Sequence, residues 1–302
     1  LTSMATGLSY AFLTAILWTG VAVFYGRAGK ARTPLLPLGF TVSAIGAIVS
    51  CVWVDWGSVI TNPHPRLWSF VAIMVAAGAL NQSGILLLAR AMTLGHSAVT
   101  WAVGQSAISI PFLVATLCWH ERVGASRGIG LVLVLTSLGF SAASRFAEHK
   151  SQASRFTLWL TVTGCSFACF GGGQSLRLLP SQWGDLGPLG PLRVTVALVA
   201  SATLFLTLLA VRKQRPTEDS FRYALPIAAC MLSGQYTLYR AADELAVHGL
   251  TGIVFPIGIG GSIIGFALYS QLVAKEKTSA MTWFGVGTGA VGVVLLALPR
   301  ST

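Results

Sequence analysis

The chain has 302 residues, of which 54% are hydrophobic and only 10% are Asp, Glu, Lys or Arg; an average soluble domain carries about 25% charged residues. With a mean hydropathy of +0.73, so little charge cannot cover a soluble fold of this size, and the composition also excludes intrinsic disorder, a collagen repeat and a disulfide scaffold. The net charge of +11 is dispersed between apolar runs, which points to membrane-flanking loops and not to a nucleic-acid surface.

In chain order, the stretches free of formal charge are 1–26, 33–54, 67–89, 91–120, 128–144, 156–176, 194–211, 223–239, 245–274 and 278–299. A helical crossing takes about 20 residues, so each stretch suits one crossing and none suits two. Strand-like alternation is absent, which leaves helices as the backbone solution in lipid. The sequence thus predicts an all-α polytopic membrane protein with ten transmembrane helices. The first residues hold no basic segment followed by a cleavage motif, so no signal peptide is expected, and a start at Leu1 is expected of a processed or trimmed chain. Connections are short: Asn62-Pro63-His64-Pro65 is a helix-stopping turn, Gly184 to Pro191 is punctuated by Gly, Pro and Asp, and Arg212 to Arg222 is polar.

The two halves resemble each other. Residues 117–130 (LCWHERVGASRGIG) align with 272–285 (LVAKEKTSAMTWFG), placing Glu121-Arg122 on Glu276-Lys277 and Gly130 on Gly285. Upstream, SGILLLARA (83–91) matches SGQYTLYRA (233–241). The expected organisation is a first five-helix repeat over 1–144, a linker at 145–155 and a second repeat over 156–302. Five is odd, so the second copy is inverted, a frequent design of alternating-access carriers. Thirteen of the 20 Lys and Arg fall in odd-numbered loops and seven on the side of the termini, which places both termini outside.

Polar side chains within spans turn towards the bundle or a cavity. Asn81 and Gln82 lie in helix 3, Trp101 and Gln105 share a face of helix 4, Gln174 follows a glycine run in helix 6, and Gln235 and Tyr239 share a face of helix 8. With Trp18 of helix 1 and Tyr236 of helix 8 they form the candidate substrate pocket. Amides and rings suit hydroxyls, a zwitterion, or the flat face of a sugar or aromatic metabolite; each amide could equally hold two helices together. Trp53, Trp56, Trp68, Trp119 and Trp183 near span ends read as an interfacial belt. Gly171-Gly172-Gly173 is expected to interrupt helix 6, and Pro256 with Gly258 to bend helix 9, making Gly171, Gly172, Pro256 and Gly258 gating candidates. Gly285-x-x-x-Gly289 is a small-residue packing face for helix 5 or a second protomer. His96, His248, Asp243 and Glu244 are candidates for coupling to protons, although Asp243 and Glu244 could simply pair with Arg240. Glu121 and Glu276 read as loop or helix-terminal charges. The five cysteines sit in or beside apolar stretches, and no ligand set for a metal accompanies them.

Ten spans in two repeats, each carrying a Glu followed by a base before a Gly-rich last helix, make the chain similar to the drug/metabolite transporter superfamily. Within it, NQSGILLLARAMTLGHSAVTWAVGQSAISIPF (81–112) resembles the glucose/rhamnose uptake branch. The resemblance implies a secondary transporter of a small, mostly neutral, sugar-like solute. It would act by alternating access in a bacterial cytoplasmic (inner) membrane. An exporter of amino acids, aromatic metabolites or drugs on the same scaffold is the alternative. No cofactor, metal or nucleic acid is expected; the partners are the solute and membrane lipids, and the chain is expected as a monomer or weak homodimer. HExxH, GxSxG and paired-Asp motifs are lacking, so the chain is not expected to be an enzyme.

Overall fold

A computed structural model describes residues 2–94, 104, 106–121, 124–146, 156–190, 192–273 and 280–298. Those residues build eleven α-helices: α1 (Thr2–Lys30), α2 (Leu35–Cys51), α3 (Trp56–Thr61), α4 (Leu67–Leu94), α5 (Ser109–Leu117), α6 (Ala125–Phe146), α7 (Phe156–Gln182), α8 (Leu192–Arg212), α9 (Glu218–Ala246), α10 (Gly261–Leu272) and α11 (Ala280–Ala297). Among the described residues, three helical segments are long and apolar enough to cross a membrane: Ser3–Ala28, Leu67–Leu88 and Leu192–Arg212. Shorter apolar stretches lie at Leu35–Cys51, Ala125–Ser137, Thr251–Phe266 and Trp283–Leu296. Large apolar side chains face outward along them, with Trp68 at 80%, Ile48 at 71% and Ile16 at 68% exposure. Water would penalise each by about 1.5–3 kcal/mol relative to burial, whereas lipid tails accept them. The chain is a helical bundle of membrane character.

The helix ends follow local chemistry. At the start of α9, Thr217 Oγ1 accepts from the Ser220 amide (3.3 Å) and Ser220 Oγ accepts from the Thr217 amide (3.3 Å), a capping box strengthened by Glu218 and Asp219 in the positive first turn. Gly249 closes the other end of α9 with φ 62°, a left-handed turn that lets the Leu250 amide reach Leu245 O (3.0 Å). The charge-free intervals underestimate several helices. α7 continues through Arg177 to Gln182, α8 starts before Arg193, and α9 gains five residues before its interval and seven after. The interval 245–274 departs most from a simple span. It contains a 3₁₀ turn (Thr251–Ile253), a π-helical turn (Pro256–Gly260) and only then α10.

The long helices pack in antiparallel pairs. α1 runs against α9, with Gly7 at Leu245, Thr14 Oγ1 hydrogen-bonded to Thr237 Oγ1 (2.8 Å) and Gly20 at Cys230. α4 runs against α7, where Ser166 Oγ donates to Gly84 O (2.8 Å) and Gly173 meets the backbone of Ala77 and Asn81. α2 lies on α8, with Gly39 at Phe205 and Gly46 at Leu198. α6 lies on α11, with Gly130 at Gly292 and Ser137 at Gly289. Secondary contacts join α2 to α9, α4 to α8, α1 to α10 and α5 to α7. The main core gathers Ile108, Phe112, Leu178, Leu238, Phe255 and Ile257 between these layers.

Candidate functional site

The C-terminal ends of α7 and α9 meet at the N-terminus of α8. There Arg193, 1% exposed, donates through Nη1 to Ser181 Oγ of α7 (2.9 Å) and to Asp243 Oδ1 of α9 (2.9 Å). Its guanidinium carbon lies 5.6 Å from the centroid of the Tyr239 ring, within cation–π range. Among the described residues, Arg193 Nε and the Tyr239 hydroxyl have no hydrogen-bond partner. Asp243 is 39% exposed, so the carboxylate faces open space while its arginine does not.

Two faces converge on this junction. On α7, Gln174, Arg177 and Ser181 follow at intervals of three and four residues; on α9, Gln235, Tyr239 and Asp243 follow at intervals of four. At 1.5 Å per residue, Gln174 and Gln235 lie about 10–12 Å down their helices from the Ser181–Asp243 level, hence at a common depth. Gln174 is 8% exposed and Gln235 4%, and both carbonyl oxygens lack a donor. Arg177 is 5% exposed, and its Nε has no partner among the described residues. A buried guanidinium is costly unless paired, and such residues inside membrane bundles mark ligand paths.

The remaining expected residues distribute differently. Trp18 seals the α1–α9 seam against Gly234 and lies 6.5 Å from the Phe255 ring. Gln82 is buried with a free carbonyl oxygen. It lies on the side of α4 that carries Gly78, at Ala197 of α8, and Leu86, in the Phe205–Leu209 cluster, so it belongs to the α4–α8 seam. Asn81 is half-buried beside Gly173. Tyr236 is turned outward, 51% exposed, with its ring edge-on to Trp53 at 6.4 Å. Trp101, Gln105 and His96 lie outside the described residues. His248 is exposed in the turn after α9. Asp243 pairs with Arg193 and not with Arg240; Glu244 accepts from Ser3 Oγ (2.9 Å) and pairs with Arg240 (3.4 Å).

Gly171-Gly172-Gly173 does not interrupt its helix, because α7 is continuous. Gly171 instead admits Ile110. The bend expected near Pro256 takes the form of the π-helical turn, where Gly258 fits against Thr14 of α1; such turns recur at functional sites. Trp119 and Trp183 are partly buried against the core, Trp183 lying under the Arg66 guanidinium at 5.8 Å.

Glu121 forms a second polar centre. Its carboxylate accepts from the Thr251 amide (3.0 Å), the Gly252 amide (2.9 Å) and Gln182 Nε2 (2.9 Å). It therefore ties the ends of α5 and α7 to the 3₁₀ turn, and it satisfies that turn's free amides as a cap. Buried Arg127 borders a cavity of about 10 Å³ beside it, roughly the volume that admits one water.

Arg177 and Arg193 each border a charge-free interval, where a buried cation looks the same in sequence as the end of a span. Their signal was available: each is a single cation embedded in apolar text, LRLL and PLRVTV.

Among comparisons with known proteins, no family model and no curated protein matches this chain. Sixteen chains of solved structure do match. One crystal structure superposes with a TM-score of 0.72 over 96% of both chains, at 14% sequence identity. At that identity the likeness establishes a shared fold.

Proposed function

We propose that the chain is a secondary transporter of the drug/metabolite transporter type, moving a small, polar, sugar-like solute across a bacterial inner membrane by alternating access. One observation carries the reading. Exchanging α1 with α7, α2 with α8, α4 with α9, α5 with α10 and α6 with α11 converts α1–α9 into α7–α4, α2–α9 into α8–α4, and α1–α10 into α7–α5. It leaves α2–α8 and α6–α11 unchanged. The partners in the two unchanged pairs run antiparallel, so the operation turns one half upside down. This supports two inverted five-helix repeats, 1–144 and 156–302, and ten crossings. In such an arrangement the repeats exchange conformations around a site at their interface. The α7–α9 junction, with free amide acceptors and a partly open carboxylate, is that site. The charged Arg193–Asp243 pair beside Tyr239 also favours the second reading, an exporter of amino acids or aromatic metabolites.

Counterflow in proteoliposomes tests the proposal. Vesicles preloaded with an unlabelled hexose, sugar acid or amino acid should accumulate the same labelled solute transiently. Counterflow of amino acids alone would select the second reading. Failure of every solute in the three classes would overturn the carrier assignment.

A further inference from the structure

We propose that the α7–α9 junction binds the oxyanion of an acidic solute, a carboxylate or phosphate on a hydroxylated body. Arg177 is its principal anchor and Arg193 the wall behind it. The proposal rests on the carrier reading and sharpens its substrate class.

Arg177 sits one helical turn before Ser181, the residue that holds Arg193, and the charges of these neighbouring segments are unbalanced. Arg177 and Arg193 bring two buried guanidinium groups, and Asp243 supplies one carboxylate. The three neighbouring acids are engaged elsewhere: Glu244 with Ser3 and Arg240, Glu121 with Gln182 and the 3₁₀ turn, and Asp185, between α7 and α8, with Arg66. Among the described residues nothing hydrogen-bonds or ion-pairs with Arg177. Arg193 is the second residue of α8, so the partial positive charge of that helix's amino end adds to the same region. One positive charge in excess, desolvated and held on rigid helices, is a recognition element for a compact oxyanion, and a guanidinium matches carboxylate and phosphate with paired donors. The free carbonyl oxygens of Gln174 and Gln235 supply acceptors for hydroxyls further down the same two faces. A neutral sugar would satisfy these acceptors and leave Arg177 unmatched.

The test uses the purified full chain in detergent with D-glucose, D-glucuronate and glucose 6-phosphate at equal ionic strength. Glucuronate or glucose 6-phosphate should raise the unfolding temperature by about 5 °C, as expected for a ligand well above its Kd, and glucose should not. Which acid is more effective distinguishes carboxylate from phosphate. Arg177→Gln should fold, because the lost charge has no partner, and should abolish the shift; Arg177→Lys should retain part of it. Three results would overturn the proposal: glucose as effective as the acids, no shift with either acid, or an undiminished shift in R177Q. Counterflow separates this from the carrier reading. An acid that binds through Arg177 without counterflow leaves the site standing and removes the carrier. Glucose counterflow untouched by R177Q leaves the carrier standing and removes the site.

Discussion

Arg193 and Asp243 form a pair whose members differ sharply in burial, 1% against 39% of the side chain exposed. That difference sets the order of two substitutions. Asp243→Asn strands a fully buried guanidinium, whereas Arg193→Gln strands a carboxylate that water can still reach. Asp243→Asn should therefore cost the more stability, about 3 kcal/mol against about 1 kcal/mol. The double variant should be less destabilised than the sum, with a coupling on the order of 1–2 kcal/mol. Thermal unfolding of the four proteins in detergent checks both points, and equal losses in the two single variants would contradict the burial asymmetry. At this scale the sequence was half legible. Gln174, Gln235, Tyr239 and Asp243 could be placed on shared helix faces because spacing in a helix fixes direction. The arginines that complete the site could not, since a charge in apolar text marks a span boundary as readily as a buried group. Only the packing of three helices around Arg193 distinguishes the two.

Helix contacts depend on glycines whose missing side chains admit a neighbouring backbone. A Cβ on Gly130 would stand 2.8 Å from Gly292 O, and one on Gly292 would stand 2.7 Å from Gly130 O. A carbonyl cannot rotate out of the way as a side-chain tip can, so α6 and α11 must separate. Gly130→Ala and Gly292→Ala should each cost about 1–3 kcal/mol. Gly128→Ala and Gly287→Ala, with nothing within 4 Å of the new methyl, should be neutral or gain up to about 1 kcal/mol from helix propensity. A matched set of unfolding curves decides the matter, and four identical shifts would count against the described contact. The α11 side of this crossing was readable from Gly285-x-x-x-Gly289, and Gly130 only as the repeat counterpart of Gly285. The glycine run at 171–173 misled. A glycine costs a helix about 1 kcal/mol, which close packing against Ile110 and the Ala77 backbone offsets. The turns at 251–260 were illegible in detail, because 3₁₀, α and π windings of apolar residues share one composition and differ only in which carbonyl each amide selects.

For the whole molecule, the buried arginines sharpen the charge asymmetry. Arg127, Arg177 and Arg193 belong to the seven cations assigned to the side of the termini, and burial removes them from the loops. Thirteen cations assigned to one side then stand against four assigned to the other, which supports the expectation that the termini are outside. The ends of α5, α7 and α9 lie at the same end of the bundle as the start of α1, and there the Glu121 carboxylate knots three segments through donors at 2.9–3.0 Å. At the opposite end, Arg27 Nη2 donates to Tyr269 Oη across the α1–α10 contact at 3.1 Å, in an exposed setting. On the proposed carrier reading, cutting the stronger of these two contacts should open that end of the bundle. Cys118 and His248 are both exposed and lie three residues from the knot, on the α5 and 3₁₀ sides respectively. Spin labels at Cys118, as the sole cysteine, and at His248→Cys should give one narrow distance distribution in the parent chain. Glu121→Ala should shift or broaden it by about 5 Å, the scale of a one-turn slide between packed helices. Arg27→Ala should leave it unchanged, since that contact sits at the other end of the bundle. An unaltered distribution in E121A would mean that apolar packing alone holds this end of the bundle together, and that Glu121 serves only to cap the turn at Thr251.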